Sequence, residues 1–306
     1  MIRPALLVNP HARASKRDPS LGPRLAQELG DNCIYSAPDG MDALHDTLRQ
    51  WSEAEVDTVV VHGGDGTLHR TATALMTEWS GPLPQFAVIP GGTMNIVAAS
   101  TGTRGRPLSI ARALAKAHTT TRRWLMKIEG PKTPQYGFLF GNGIISAFLE
   151  VCYEGTPPSP LKAAQILVRG AGSAMVRGPL ARRLTRPFHG TLTVGTQQWG
   201  PTDFTAIAAG TVQQIGLGFR AFPKSESHPG TIHLVGITGS VLDLALELPR
   251  IYFGRGVHRT GNFECVDTAL QIDSDEPIGF MIDGDFHTAP NGIRITTGPP
   301  IDFVLP

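Results

Sequence analysis

One run of strand-forming residues that ends in closely spaced glycines constrains the fold more than any other part of the chain. TVVV stands at residues 58–61, and HGGDGT follows at 62–67. An apolar, β-branched run is typical of a strand buried on both faces of a parallel sheet. The glycines after it let the backbone turn sharply and approach a ligand, because no Cβ atom is in the way. We therefore predict a parallel strand, a glycine-rich loop and a helix that begins near residue 67.

The next strand along the chain ends in a similar loop. FAVI at 86–89 is followed by PGGTMN at 90–95, with Thr93 able to cap a helix and Asn95 expected to face the loop's open side. Ligands of parallel sheets bind at the carboxyl ends of the strands, and helix N-termini attract phosphate. The two loops are therefore predicted to line one crevice. Asp65 in the first loop could bind Mg²⁺ or could simply cap a helix.

The rest of the chain predicts two domains of different kinds. Up to about residue 125, short apolar runs alternate with helix-like stretches, as in a parallel sheet with helices on both faces. Beyond it short strands predominate, and helices are predicted at 144–153, 162–184 and 240–249. We predict a three-layer α/β domain over residues 1–125 and an antiparallel β-sandwich domain over 126–300, with residues 301–306 a candidate last strand of the first domain.

The net charge of +1 conceals a strong asymmetry along the sequence. Residues 79–202 hold fourteen Lys and Arg against three acids, whereas residues 203–306 hold six against twelve. The basic middle favours an anionic partner. Three distant cysteines make a disulfide framework or a zinc site improbable, and we predict no signal peptide or transmembrane segment, hence a cytoplasmic protein.

Three shorter motifs accompany the two glycine loops. LLVNP stands at 6–10, MIDGD at 281–285 and IDFVLP at 301–306. Together with GGDGT and PGGTxN, they resemble the diacylglycerol kinase catalytic domain family, which includes bacterial diacylglycerol kinases and the sphingosine and ceramide kinases. In that family an Asn-Pro loop, an Asp-Gly-Glu motif and a last strand hold these places. The resemblance spans essentially the whole chain.

The resemblance implies a lipid kinase that uses ATP and Mg²⁺, with the nucleotide in the cleft between the two domains. The residues that it assigns to the nucleotide are Asn9, Gly63, Gly64, Asp65, Gly66, Thr67, Gly92, Thr93 and Asn95. Asp283 matches the family's catalytic base, and Asp65 and Asp285 are the implied metal ligands. The residues by themselves also allow Asp283 to be one half of an Asp-Gly hairpin turn.

The chain departs from the family pattern at several positions. His69 and Arg70 stand where the family usually has Asn-Glu, and Ile96 stands where it usually has Asp. Pro229 lies in the segment that holds a structural Mg²⁺ site in many bacterial members, and its side chain offers no ligand. These departures motivate one alternative, a nucleotide-binding regulatory member of the family with impaired catalysis.

A basic segment in the second domain is the predicted contact with the membrane. Residues 155–202 contain six cations and no acid, and apolar residues alternate with these cations. Such a pattern favours peripheral attachment to an anionic membrane surface that presents the lipid substrate, although a solvated basic face explains it as well. The cations in question are Lys162, Arg169, Arg177, Arg182, Arg183 and Arg186.

Other partners and acceptors follow from the same residues. Nucleic acid is not expected, because aromatic residues are not interleaved with the cations. A homodimer is a further candidate assembly that the motifs do not decide. The acceptor is predicted to be diacylglycerol or a ceramide or sphingoid base. The enzyme alternative is a kinase with a soluble acceptor, since NAD kinases share a GGDG loop but not the match across the second domain.

Overall fold

The computed structural model describes residues 3–117, 119–130, 133–155, 159–176, 178–185 and 187–306. The chain forms two compact units, Met1–Arg123 together with Pro299–Pro306, and Trp124–Gly298. Within the described ranges, no helix combines the length and the apolar character that crossing a bilayer requires.

The first unit alternates strands and helices. Its elements are β1 (Pro4–Val8), α1 (Arg13–Arg17), α2 (Leu21–Leu29), β2 (Ile34–Ser36), α3 (Met41–Glu53), β3 (Thr58–Gly63), α4 (Asp65–Glu78), β4 (Gln85–Pro90), α5 (Ile96–Ser100) and α6 (Pro107–Leu114). Its strands lie in the order β2-β1-β3-β4 and all of these pairs are parallel. The end of the chain's last strand adds to β4 in parallel, with Phe303 opposite Phe86.

Helices cover both faces of this parallel sheet. On one face, α2 and α6 pack against Leu6, Val60 and Ile89. Successive strand residues point to opposite faces, so Val59 and Val61 are buried on the other face, where α4 packs on β3 and α3 packs on α4. This arrangement explains why TVVV is apolar throughout, since no face of β3 contacts water.

The second unit consists mainly of antiparallel strands. Two strands, β5 (Thr120–Glu129) and β16 (Gly292–Val304), have residues in both units. The elements that lie wholly in the second unit are β6 (Gln135–Gly137), β7 (Leu139–Asn142), α7 (Ile144–Tyr153), α8 (Pro160–Met175), α9 (Pro179–Leu184), β8 (Phe188–Val194), β9 (Gln197–Phe204), β10 (Ala206–Gly210), β11 (Ile232–Ile237), α10 (Val241–Tyr252), β12 (Phe263–Asp267), β13 (Ala269–Asp273), β14 (Ile278–Ile282) and β15 (Asp285–Ala289).

Two antiparallel sheets enclose the core of this unit. One contains β12-β11-β10-β7-β14-β15, and in the other β13 lies between β16 and β8, with β9 beside β8. Phe140, Ile207 and Phe280 of the first sheet meet Leu192 and Ile272 of the second in one buried cluster. The predicted fold class, a parallel α/β part with a separate antiparallel β part, is confirmed.

Of the three helices predicted for the second unit, one agrees with the structure and two differ from it. The predicted helix at 144–153 is α7. The predicted helix at 162–184 is wrong in its continuity, because Pro179 begins a separate helix, α9, at a position where its missing N–H costs nothing. The predicted helix at 240–249 corresponds to α10, which begins at Val241 with Ser240 as its cap and continues past Pro249 to Tyr252.

Candidate functional site

Three loops of the first unit follow adjacent parallel strands. The loop at Asn9 follows β1, the loop at Gly64 follows β3, and the loop that begins after Pro90 follows β4. Because β1 and β4 both pair with β3 in parallel, the three loops emerge at the same edge of the sheet. The fold therefore brings together the segments in which the predicted nucleotide residues of this unit lie.

Hydrogen bonds join these loops directly. Asn9 Nδ2 donates to Thr67 Oγ1 at 2.8 Å, and the same side chain accepts the backbone N–H of His11 at 2.8 Å. The Gly91 N–H donates to the Gly63 carbonyl at 2.8 Å. The first loop is thus bonded to the second, and the second to the third.

The two glycine loops touch where only glycine fits. A Cβ atom on Gly92 would lie 2.4 Å from the Gly64 Cα, and one on Gly64 would lie 3.2 Å from the Gly92 Cα. Carbon atoms normally approach to about 3.5–4.0 Å, so a side chain at residue 92 would push the loops apart. Both glycines are required for the close approach of two backbones, as well as for any approach to a ligand.

Asp65 lies in the first turn of a helix rather than in a loop. The helix predicted to begin near residue 67 in fact begins at Asp65, so Gly66 and Thr67 also belong to the first turn of α4. The Asp65 carboxylate accepts the Val97 N–H at 3.1 Å, and the nearby Asn95 and Ile96 N–H groups add to the stabilisation of its charged form. Asp65 therefore caps α5, the helix that follows the other glycine loop.

The electrostatic consequence is a carboxylate held between opposing effects. The residue as a whole is partly exposed, but its carboxyl group is enclosed by protein. This burial raises the pKa of Asp65, and the N–H groups of residues 95–97 oppose the rise by stabilising the charged form. A cation beside Asp65 would lower that pKa and favour ionisation.

Asn95 has a different role from the one expected. Asn95, not Thr93, occupies the position before α5, and its φ of 51° is a left-handed conformation that Asn tolerates. Its side chain accepts the Gly92 N–H at 2.9 Å and donates to the Gly92 carbonyl at 3.1 Å. Asn95 therefore closes its own loop instead of facing the open side, and Thr93 lies within that loop, partly exposed.

His62, which the motifs did not single out, packs against the third loop. It is fully buried, and its Nδ1 donates to the Ile89 carbonyl at 3.0 Å. A Cβ on Gly91 would lie 2.8 Å from the imidazole Cε1, so the ring packs directly under Gly91. Burial lowers the pKa of His62 and keeps the ring neutral.

The predicted base, Asp283, lies in the second unit at the tip of a β-hairpin. Asp283 and Gly284 are the two residues between β14 and β15, and both have positive φ, at 46° and 92°. This is the backbone of a tight Asp-Gly hairpin turn, so the turn interpretation describes its local structure. The conformation alone does not explain where the side chain goes.

The Asp283 side chain points into the protein. Its Oδ2 accepts the Phe138 N–H and its Oδ1 accepts the Leu139 N–H, each at 2.9 Å, and the residue is 4% exposed. A Cβ on Gly137 would lie 2.5 Å from Asp283 Oδ2, so this glycine makes room for the carboxylate. No motif indicated Gly137, because its partner is distant in sequence. Asp285 begins β15 and is partly exposed.

The family departures have structural counterparts. His69 is buried in α4, and Arg70 beside it is exposed. Ile96 has no carboxylate to offer, and only its backbone N–H contributes to the environment of Asp65, where it favours the ionised form. In the segment that contains Pro229, the Lys224 ammonium forms an ion pair with Glu264. The Glu264 carboxylate is therefore already paired with a cation of the protein.

The arrangement of the acidic side chains bears on metal binding. Among the residues that the structure describes, no three His, Cys, Asp or Glu side chains are grouped as metal ligands would be. Mg²⁺ commonly takes only one or two protein carboxylates and completes its shell with phosphate oxygens and water.

The basic segment is only partly described. Arg177 and Arg186 lie outside the described residues. Arg183 forms an ion pair with Glu154, and the Lys162 ammonium donates to the Glu154 carbonyl. Arg169 and Arg182 are exposed.

Comparison with known proteins finds a family model that matches part of the chain and relatives that match most of it. Residues 3–126 match the model of the diacylglycerol kinase catalytic domain. The chain is 28% identical over 247 residues to the "probable lipid kinase YegS" of Salmonella dublin, covering 78% of this chain and 76% of that protein. It is 28% identical over 268 residues to the YegS-like probable lipid kinase of Citrobacter koseri, covering 83% of each.

Solved structures agree at the level of the fold. The crystal structure of a diacylglycerol kinase from Bacillus anthracis superposes with a TM-score of 0.68 at 17% identity, covering 99% of this chain and 97% of that one. Residues 3–126 thus match the diacylglycerol kinase catalytic domain, as predicted from the loops, and the similarity of the chain to probable lipid kinases supports a kinase.

Proposed function

We propose that the protein is an ATP- and Mg²⁺-dependent lipid kinase, which transfers the γ-phosphoryl group to a hydroxyl of a membrane lipid. The candidate acceptors are diacylglycerol and ceramide or sphingoid bases. The observation that carries the proposal is the joining of the Asn9, Gly63–Thr67 and Gly92–Asn95 segments at one edge of a parallel sheet.

The loops are assigned to the phosphates of ATP. Polyphosphate needs backbone that can be approached closely, and Gly64 and Gly92 provide backbone without side chains, while the Gly92 N–H itself is held by Asn95. Asn9 holds Thr67 at the start of α4, and Asp65 holds the start of α5. The shape of the phosphate seat is therefore set before a nucleotide arrives, which reduces the ordering cost of binding.

Asp65 and Asp285 are the residues assigned to Mg²⁺. When bound with ATP, the ion would neutralise the negative charge of the phosphates. Ionised Asp65 is favoured by such a cation, which offsets the burial that raises the pKa of this group.

Asp283 is assigned the role of general base. The lipid hydroxyl oxygen forms a bond to the γ-phosphorus, the bond from that phosphorus to the β–γ bridging oxygen breaks, and ADP leaves. The hydroxyl proton passes to the Asp283 carboxylate. The Phe138 and Leu139 N–H groups donate to its two carboxylate oxygens, which fixes the orientation of the proposed base.

The test is transfer of labelled γ-phosphate from ATP to a panel of lipids dispersed in detergent. We expect labelled product from at least one of the candidate acceptors, and little from soluble alcohols. Gly64→Val should abolish the transfer by weakening ATP binding, because the larger side chain cannot fit against Gly92. Transfer to soluble alcohols but to no lipid would overturn the assignment.

One observation favours a second candidate, a nucleotide-binding regulatory protein with little catalysis. The Asp65 carboxylate already accepts the Val97 N–H at the start of α5, which gives it a structural function even without metal. Calorimetric titration separates the candidates. Tight ATP binding whose affinity ignores Mg²⁺, with no transfer to any acceptor, would favour the regulatory protein.

A further inference from the structure

An apolar stripe runs along the exposed side of α8. Leu161, Val168 and Met175 are 69%, 71% and 72% exposed, and they are spaced by seven residues. Seven residues are nearly two helical turns, so the three side chains lie in one row about 21 Å long. Val176, which ends the helix, is more exposed still.

The neighbouring helix α10 continues this surface. It packs against α8, and its exposed apolar residues are Leu246, Tyr252 and Phe253, of which the first and last are again seven residues apart. Within the described ranges, every large apolar residue more than 60% exposed lies on α8, α10 or the residue that ends one of them. We give the name α8–α10 surface to seven exposed apolar residues: Leu161, Val168, Met175, Val176, Leu246, Tyr252 and Phe253.

Cations accompany the α8–α10 surface. Helices α8 and α9 contain Lys162, Arg169, Arg182 and Arg183 and no acid. The Arg255 guanidinium lies 5.8 Å from the centre of the Phe253 ring.

The acids of α10 are occupied within the protein. Asp243 closes the helix cap with Ser240 and pairs with Arg259, and Glu247 is fully buried against His258. Arg183 is paired with Glu154, so the positive charge that the α8–α10 surface presents to a partner comes chiefly from the exposed Arg169 and Arg182.

We infer that the α8–α10 surface docks on an anionic lipid bilayer. Apolar side chains of a helix lying in the interface enter the boundary of the acyl chains, while Arg and Lys contact anionic headgroups. Tyr252 and Phe253, near Arg250 and Arg255, suit this boundary because aromatic rings favour it. A second copy of the chain fits less well, since a two-fold contact would set the same positive surface against itself.

The inference adds a partner to the proposed lipid kinase, but it can be tested without catalysis. The full chain is sedimented with vesicles of phosphatidylcholine alone or mixed with phosphatidylserine, at low and high salt. We expect binding to the mixed vesicles that falls as salt rises. Met175→Glu should weaken this binding about tenfold or more, because it replaces an apolar contact with the acyl chains by a charge that the anionic membrane repels.

Met41→Glu is the matched control. Met41 is also an exposed methionine, 40% exposed, but it begins α3 in the first unit. The same substitution there should leave vesicle binding unchanged. Replacing both Arg169 and Arg182 with Gln should weaken binding at low salt by about fivefold for each cation removed, and by less at high salt.

Three results would overturn the inference. One is wild-type vesicle binding by Met175→Glu, and another is binding that ignores both phosphatidylserine and salt. The third is a dimer in light scattering that Met175→Glu converts to a monomer without any vesicle binding, which would assign the surface to a second copy. A chain that binds vesicles as expected but phosphorylates no lipid in detergent would refute the kinase assignment alone.

Discussion

Gly92→Ala is the sharpest test of the joined glycine loops. The φ of Gly92 is not in the left-handed region, so the effect of alanine there is steric. The added Cβ would lie 2.4 Å from the Gly64 Cα and 3.2 Å from the Gly64 nitrogen. Since carbon atoms approach to about 3.5 Å, the two loops must separate by about 1 Å.

This displacement has two measurable effects. Forcing one extra carbon into a packed contact between backbones costs about 1–3 kcal/mol of the free energy of unfolding. A shift of about 1 Å in groups that position a reacting phosphate lowers turnover about 100-fold. We therefore expect Gly92→Ala to unfold at lower denaturant concentration, to bind ATP more weakly and to lose most of its transfer activity.

Urea unfolding and ATP titration measure these effects separately. Gly172→Ala is the control, because a Cβ at this helical position in α8 meets no atom within 4 Å and should stabilise the protein by about 0.5–1 kcal/mol. Gly64→Ala, with a 3.2 Å contact, should give an intermediate loss. Wild-type stability and wild-type ATP affinity in Gly92→Ala would refute the claim that the two loops form one seat.

Three further predictions concern buried carboxylates. Asp283→Asn should lower turnover by about 10²–10⁴-fold. It should also lower the free energy of unfolding in urea by about 1–3 kcal/mol, because the amide cannot accept both the Phe138 and the Leu139 N–H. Wild-type turnover in this variant would mean that another residue is the base, with Asp285 the first candidate. Asp65→Asn should weaken Mg²⁺-dependent ATP binding and turnover together. Because burial raises the pKa of Asp65, ionisation costs stability, so the stability of Asp65→Asn relative to wild type should rise with pH through that pKa; a constant difference in urea midpoint would contradict this. For Glu247, burial opposes ionisation, but the hydrogen bonds from the His258 and Arg259 N–H groups outweigh burial and lower the pKa of Glu247. The ionised carboxylate therefore stabilises the fold above the ordinary value of 4.5, and this stabilisation is lost as pH falls through the lowered pKa. Glu247→Gln should flatten the acid limb of a plot of unfolding free energy against pH, and an unchanged limb would show that Glu247 is not the cause of that limb.

The parts of this fold that were predictable depend on local patterns. The TVVV run, the glycine loops and α7 each follow from residues close in sequence, and so does the cap that Ser240 provides. The break between α8 and α9 could also have been predicted, because Pro179 cannot lie in the interior of an unbroken helix without the loss of a hydrogen bond.

The parts that escaped prediction depend on distant pairs. The bond from Asp65 to Val97, the space that Gly137 leaves for Asp283 and the packing of His62 under Gly91 all join residues that no short pattern relates. The same holds for Tyr252 and Phe253, whose place beside α8 follows from the packing of α10 rather than from the basic segment. Chemistry-bearing residues could be named from motifs, but their hydrogen-bond partners could not.

The last strand has a consequence for biosynthesis. Phe303 and Val304 complete the first unit beside β4, yet they are translated after the whole of Trp124–Gly298. At about 5–20 residues per second, ribosomes need roughly 10–35 s to make that insert, during which the apolar edge of β4 is unpaired. An open edge of this kind invites pairing with other nascent chains. The segment 3–126 expressed without residues 299–306 would keep that edge permanently, so a fragment cut at the boundary of the family match is a poor vehicle for studying the loops it contains.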